Sequence, residues 1–342
     1  MISVTGRICA SKTAAILVGF VILGLIAAPA LAHVPAWGTA NDSPENANVV
    51  TNPTKSWAFY DRVDAGGSAY YEATYLEDER LYLTLYTPDP DLQPGLVLMT
   101  PGGETSEQVP DAVEVPADYG ATVLASEPAE SAEFEPFTPG AYYYTLSLDR
   151  TVETGGTYLF AVYDVAGESG PVGVAVGRSE SFTLIEFLTV PIDVLGVHAW
   201  EGDSPLLVFG PGLLVAVLGV VRLRGRLDGR SGREPRIARW ALGLAAVAIF
   251  ATSAMMATQF AVALAMTGPS PAAVLTLLLV VVPATIATWL GRLATDEEIR
   301  LSRRLRVMLF LAGAGSLATW GGLLLAPLVP IGLSLLPGRL LR

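Results

Sequence analysis

The stretch RLYLTLYT, residues 80–87, decides the fold of the first half of this chain. Leucine occupies every second position, with polar or aromatic residues between, which is the period-two pattern of a strand with one buried face. The same alternation occurs in AYYYTLSLDR (141–150), GTYLFAVYD (156–164) and PVGVAVG (171–177). Strands of this kind, separated by glycine-rich turns, predict an all-β, jelly-roll-like sandwich of antiparallel strands over residues 33–180.

The order of these strands resembles a known family. GGSAYYEATY (66–75) supplies a strand with paired aromatic residues, which leads through a turn to the alternating strand, and a Gly-Thr-Tyr strand follows later. This pattern is similar to the bacterial and archaeal pre-peptidase C-terminal β-sandwich. The chain departs from it in a proline- and glutamate-rich insertion at 101–139, which we expect to be exposed, and in lacking the paired-Asp turn before GLVLM (95–99). The resemblance implies a non-catalytic accessory or adhesion-like module and carries over no site residue.

Charge is divided unevenly along the chain. Residues 33–204 carry 28 acidic and five basic side chains, whereas the rest carries five acidic and 16 basic ones. This asymmetry indicates an acidic soluble domain followed by a membrane region. The acidity excludes nucleic acid as a partner, because phosphates would be repelled. The acidity, together with the presence of only two lysines in the whole chain, is typical of proteins from a high-salt habitat. An ordinary acidic exported domain is the alternative. The overall arrangement resembles exported membrane proteins of salt-loving archaea. This resemblance does not indicate a particular activity.

The first 32 residues have the layout of a secretory signal peptide. Arg7 and Lys12 precede an apolar run at 14–28, and the small-residue motif Ala30-Leu31-Ala32 follows. This order predicts cleavage after Ala32; an uncleaved anchor is the alternative, and both place the next domain outside. The single cysteine, Cys9, lies in this segment, so the mature protein would contain neither a disulfide nor a thiolate metal site.

Residues 204–342 predict a transmembrane bundle of four helices, since four segments reach the length that a bilayer requires. They are Pro205–Val221, Ile237–Met266, Ala272–Leu290 and Val307–Leu328. Arginine-rich loops follow the first and the third, so both loops are predicted inside, with the acidic domain and the C-terminus outside. Arg339 and Arg342 oppose this assignment. The protein is thus predicted to be a multi-pass protein of the cell membrane with an extracellular domain.

The chemistry of these spans points to an anchor. Apart from Arg239, at the edge of the second span beside the arginine-rich loop, they contain no Asp, Glu, Lys, Arg or His, and Gln259 is the most polar of their other side chains. Pumps, coupled transporters and haem carriers need ionisable groups or histidines between helices, so these classes are disfavoured. Small residues at a spacing of four, such as Ala314, Ala318 and Gly322, favour close helix packing, within the bundle or in an oligomer.

The segment 181–203 joins the two halves. Its apolar residues repeat at helical spacing, which predicts an amphipathic helix capped by Ser181 and kinked or broken at Pro191. With Trp200 near its end, we expect this helix to lie on the outer leaflet of the membrane. The segment also contains His198, one of the two histidines of the chain.

The other histidine, His33, would become the mature N-terminus after cleavage at Ala32. A terminal amine beside an imidazole can chelate copper if a further ligand is near, and His198, Asp42 or Glu45 are the candidates. The simpler interpretation is a solvated terminal histidine and an interfacial one, and it is favoured because the motif is short. Acidic turns such as EDE (77–79) match no calcium loop, so a solvated acidic face is favoured there.

No catalytic constellation emerges from these residues. A nucleophile–histidine pair is disfavoured, because one histidine would be the chain terminus and the other lies next to the membrane region. We therefore predict a membrane-anchored cell-surface protein that is not an enzyme and uses no cofactor. Its β-sandwich would be a binding or structural module for a surface protein or polysaccharide. The alternative is a surface copper-binding protein with His33 and His198 as metal ligands.

Overall fold

The computed structural model describes residues 33–105, 108–228, 236–296 and 302–336. The predicted signal peptide, residues 1–32, lies outside these ranges. The chain divides into two compact units. The β unit comprises the described residues up to Asp203 together with Ala263–Gly268, and the helical unit comprises the remaining helical residues.

The β unit is built of two sheets. A six-stranded sheet has the order β1-β3-β11-β5-β9-β8, and a five-stranded sheet has the order β2-β4-β10-β6-β7. The strands are β1 (Val34–Trp37), β2 (Asn48–Val49), β3 (Trp57–Val63), β4 (Ser68–Tyr75), β5 (Arg80–Thr87), β6 (Pro94–Pro101), β7 (Tyr119–Leu124), β8 (Glu133–Glu135), β9 (Gly140–Thr151), β10 (Gly156–Asp164) and β11 (Gly170–Val176). The predicted β-rich first half is thus confirmed. The insertion is not exposed throughout, because it contributes β7 and β8 to the sheets and buries Ala121 and Phe134.

Two of the strand pairs differ from the antiparallel prediction. β1 pairs with β3, and β2 pairs with β4, in parallel. Parallel neighbours need a crossover connection, and the chain supplies it here by alternating between the sheets from β1 to β6. The other neighbouring strands pair antiparallel.

The core lies between the sheets and contains the leucines of the opening stretch. Leu81, Leu83 and Leu85 are 0% exposed, as their alternation predicts. Yet the opposite face of β5 is also covered, because Tyr86 is only 3% exposed. It belongs to a second apolar cluster that includes Val197 and Trp200 of the first helix, so this sheet is buried on both faces near that helix.

That helix, α1 (Leu184–Trp200), packs on β1 and β3. Its N-cap is Thr183 rather than Ser181, and Thr183 forms a reciprocal capping box with Glu186. Pro191 does not break the helix; it is buried, as are Val190 before it and Val197 after it. Leu184, Ile185 and Ile192 stay exposed, so the helix has a second, apolar face.

The described residues after Asp203 include three helices that are long and apolar enough to cross a membrane: Pro205–Leu227, Ile237–Thr267 and Ala273–Ala294. They correspond to α2 (Pro205–Leu227), α3 (Arg236–Thr267) and α4 (Ala273–Ala294). α5 (Arg303–Ala318) and α6 (Leu325–Leu335) follow. Three of the four predicted spans are therefore confirmed as helices that could cross a membrane, by length and composition.

The fourth predicted span, Val307–Leu328, is not one helix but the two helices α5 and α6. Trp320, Gly322 and Leu323 between them have φ values of 54°, 78° and 55°, a left-handed conformation that cannot continue an α-helix. Gly322 donates its N–H to Thr252 Oγ1 at 2.6 Å. The two short helices pack against each other, and Arg306 Nη1 donates to Leu336 O at 2.6 Å, so α6 returns toward the start of α5.

Candidate functional site

The candidate site lies where α1 ends, in the sequence HAWEGD (198–203). Gly202 has φ +84°, and its N–H and that of Asp203 bond to the carbonyls of Ala199 and His198 at 3.2 and 3.0 Å. These two bonds form a Schellman turn with glycine in the left-handed position. The turn brings the side chains of His198, Glu201 and Asp203 together, and we name these three the helix-end cluster.

Both carboxylates of the cluster face one nitrogen. His198 Nδ1 lies 2.7 Å from Glu201 Oε2 and 3.4 Å from Asp203 Oδ2. One ligand atom from each side chain can be chosen so that all lie within 4.8 Å of one another. The side chains of His198 and Glu201 are 4% and 8% exposed, and that of Asp203 is 27% exposed. The cluster is therefore closed on the protein side and reachable from solvent at Asp203.

The carboxylates determine the protonation of the imidazole. Burial by itself lowers the pKa of His198, but the hydrogen bonds and charges of Asp203 and Glu201 outweigh it and raise the pKa to about 9. The imidazole is therefore in its cationic form at neutral pH. The proton on its Nδ1 lies between the carboxylates of Glu201 and Asp203.

An aromatic layer fixes the cluster to the sheet. It consists of Tyr60, Tyr86, Tyr142 and Trp200, and the Trp200 ring centroid lies 5.0 Å from that of Tyr60 and 6.0 Å from that of Tyr142. Trp200 Nε1 donates to the backbone oxygen of Asp61 at 2.6 Å. Buried aromatic rings in edge-to-face contact stabilise a fold beyond their area, so the end of α1 is held in one place.

Glu201 is positioned from both sides by the strand β9. The Tyr142 hydroxyl donates to Glu201 Oε1 at 2.5 Å, which leaves Oε2 to His198. A Cβ at Gly140 would lie 2.5 Å from the same Oε1 atom, so the carboxylate occupies space that only glycine leaves open. Burial raises the pKa of Tyr142 well above its usual range, and the hydroxyl therefore remains a donor at neutral pH.

A second acid, the half-buried Glu135 of β8, interacts with the cluster through its charge. Burial raises its pKa, the charge of Glu201 adds to this effect, and the N–H of Phe137 opposes it, for a pKa of about 7. Phe137 N donates to Glu135 Oε1 at 3.1 Å. Two carboxyl groups thus lie close enough to influence each other beneath the helix end.

The other predicted site residue, His33, lies elsewhere in the β unit. Its Nδ1 is 2.8 Å from Ser56 Oγ, and burial lowers its pKa to about 4, so the ring is neutral at pH 7. Among the described residues, the cluster at the end of α1 is the one group of three or more metal-ligating side chains, and His33 is not a member. Asp42 and Glu45 are exposed. Copper binding by His33 stays a prediction.

Sequence reasoning identified His198 but missed its partners Glu201 and Asp203. The signal was present, because a glycine directly after a helix ending in H-x-x-E folds the chain back and returns the next side chain to the histidine. Glu135 and Tyr142 had no such signal, since they lie 66 and 59 residues from Glu201 along the chain.

Comparison of the chain with protein-family models finds no match, and comparison with curated proteins finds none either. The resemblance to the pre-peptidase C-terminal β-sandwich stays an expectation from the sequence.

Proposed function

We propose that the protein is a membrane-anchored cell-surface protein whose β unit is a non-catalytic binding or structural module. The observation that carries this proposal is the covalent order of the elements. A helix fixed to a two-sheet domain by buried contacts ends at Trp200, and a helix able to span a membrane begins at Pro205. The closely packed domain is thus attached directly to the anchor.

The distribution of charge supports an outward orientation. The loops rich in arginine follow the first and third spans, and the positive-inside rule places such loops in the cytoplasm. The acidic domain before the first span is then outside. There its partner would be a surface protein or a polysaccharide, and the exposed Leu184, Ile185 and Ile192 of α1 would contact the lipid headgroup region.

The contact between Ser56 and His33 supports a non-catalytic role. Serine and histidine at 2.8 Å have the spacing of a nucleophile and its base, but Ser56 is only 1% exposed. A substrate would have no access to its hydroxyl. With a pKa of about 4, His33 is also a weak base.

Thiol labelling of whole cells tests the orientation. In a background in which Cys9 is replaced by serine, a cysteine at Glu130 should react with a membrane-impermeant maleimide, whereas a cysteine at Arg226 should react only after permeabilisation. Both positions are exposed on the protein, so burial does not explain a difference. Labelling of Arg226→Cys in intact cells, with Glu130→Cys protected, would contradict the proposal.

We also propose that the acidity adapts the domain to high salt. Repulsion among its carboxylates is screened over about 3 Å at 1 M salt but only over about 30 Å at 0.01 M. The full chain in detergent should therefore lose the melting transition of its β unit on dialysis from molar potassium chloride. An unchanged melting temperature would mean that the acidity has no such role.

The alternative function is copper binding at the surface by a mature N-terminal His33. A terminal chelate would use the amine and Nδ1 of the same residue, so the contact of Nδ1 with Ser56 would have to be exchanged for the metal. Mass spectrometry of the mature N-terminus decides the first requirement. Cleavage at any position other than Ala32 would remove the amine from His33 and with it this alternative.

A further inference from the structure

We propose that the helix-end cluster of His198, Glu201 and Asp203 is a binding site for a first-row divalent metal ion of the Zn²⁺ type. The ion would hold the turn that ends α1 in one conformation, because all three ligands lie within residues 198–203. The site is independent of His33 and of the binding partner of the β unit, so it stands or falls separately from the function proposed above.

The geometry of the three ligand atoms fits such an ion. Two ligands that each lie about 2.1 Å from a tetrahedral ion are separated by about 3.4 Å. The Nδ1 atom of His198 is 3.4 Å from Asp203 Oδ2 and 2.7 Å from Glu201 Oε2. The first distance already matches, and the second requires an opening of about 0.7 Å. One ligand atom from each of the three side chains lies within 4.8 Å of the others.

The charges of the cluster also suit a divalent ion. Two carboxylates face His198 in a largely buried site, and together they can neutralise the charge of one divalent ion. Buried charges are stable when they are paired or bound to a metal.

The donor set indicates which ions fit. An imidazole nitrogen with two carboxylates suits zinc and its neighbours, whereas calcium and magnesium prefer six or more oxygen ligands. Protein side chains occupy three positions here. Asp203 is the most exposed of them, and water can supply the fourth ligand from that side.

The surroundings have the form of an outer ligand shell. Tyr142 donates to the oxygen of Glu201 that does not face His198, and so orients the carboxylate toward the metal position. Hydrogen bonds of this kind to a ligating carboxylate typically alter metal affinity by about 10- to 100-fold. Gly140 leaves the space in which that carboxylate lies.

The test uses the full chain in detergent, purified through an affinity tag that contains no histidine. Zn²⁺ is titrated by calorimetry, with Ca²⁺ and Mg²⁺ as comparison ions. Co²⁺ serves as the spectroscopic probe, because its visible absorption reports a tetrahedral site with a nitrogen ligand. The variants are Asp203→Asn, His198→Gln and Tyr142→Phe, with His33→Gln and Asp193→Asn as matched controls.

We expect the wild-type chain to bind one Zn²⁺ and to melt at a higher temperature with it. Asp203→Asn and His198→Gln should each weaken binding at least tenfold, and Tyr142→Phe should weaken it about tenfold. Both controls should bind as the wild type does. Asp203 is partly exposed, so its variant keeps the test valid if His198→Gln does not fold.

Three results would overturn the proposal. The first is the absence of saturable binding of one Zn²⁺ or Co²⁺ by the folded wild-type chain. The second is a Co²⁺ spectrum that is unchanged in Asp203→Asn. The third is loss of binding in His33→Gln with binding retained in His198→Gln, which would assign the metal to the N-terminal histidine instead.

Discussion

The two ends of α1 are attached to the β unit by different chemistry. At its start, Lys55 and Glu186 form an ion pair at 2.5 Å, with side chains 9% and 20% exposed. At its end, Trp200 lies in an aromatic layer and donates a hydrogen bond to the backbone of β3. The net free energy of such a partly buried ion pair is small, because desolvation of its charges offsets their attraction, whereas a buried aromatic side chain contributes several kcal/mol. The difference indicates that most of the free energy that holds α1 on the sheet comes from its C-terminal end, at Trp200.

The largest expected effect is that of Trp200→Ala. This change removes the ring that contacts three tyrosines and leaves a cavity between helix and sheet. The free energy of unfolding of the β unit should fall by about 3–5 kcal/mol, measured by urea titration of the full chain in detergent with proteolysis as the readout. Ile192→Ala, on the exposed face of the same helix, is the control. Equal losses in both variants would contradict the comparison.

The next effect is pH-dependent and concerns Glu135. Its pKa of about 7 in the folded state lies above the ordinary value of 4.5, so between these pH values the folded state binds more protons than the unfolded state. Stability must then decrease as pH rises through this window. Glu135→Gln should remove the decrease, so that the free energy of unfolding rises by up to about 3 kcal/mol at pH 8. The measurement includes a metal chelator, so that metal binding to the helix-end cluster does not contribute.

At pH 4 the same substitution should change little, because the carboxyl group is then protonated in both states. The measurement is the melting temperature of both chains across pH 4 to 8. Glu133→Gln, on the same strand but exposed, is the matched control. Parallel pH profiles of wild type and Glu135→Gln would show that this carboxyl group does not govern this window.

How far the sequence predicts the molecule depends on the range of the interactions. The alternation of leucine in β5 follows from the period of a strand, so the core face was predictable. The cover on the opposite face was not, because Trp200 meets Asp61 across 139 residues. The divided fourth span had a local signal, Gly321-Gly322, which average hydropathy does not register. In the helix-end cluster the contacts within 198–203 were readable, and those to Gly140 and Tyr142 were not.

A smaller effect is expected for Gly140→Ala at the C-terminal end of α1. The added Cβ would lie 2.5 Å from Glu201 Oε1, so the carboxylate must move away from Tyr142. We expect a loss of about 1–3 kcal/mol in the free energy of unfolding. In the background of Glu201→Ala the same substitution should cost much less, because the contact is gone. Full additivity of the two changes in a double-mutant cycle would mean that they do not meet.

The smallest effect is expected at the opposite end of α1, for Lys55→Met. Methionine keeps an unbranched apolar side chain at this position, and it removes the charge together with the contact of Nζ with the Trp57 ring, whose centroid lies 4.3 Å away. Glu186 keeps its bonds to Thr183 in the capping box, so it is not left without a partner, and it is the more exposed member of the pair. The free energy of unfolding should therefore fall by about 1 kcal/mol or less, and by less at molar salt than at low salt because the pair is partly screened. Urea titrations at both salt concentrations measure this. A loss as large as that of Trp200→Ala would mean that the ion pair, rather than the aromatic layer, holds α1 on the sheet.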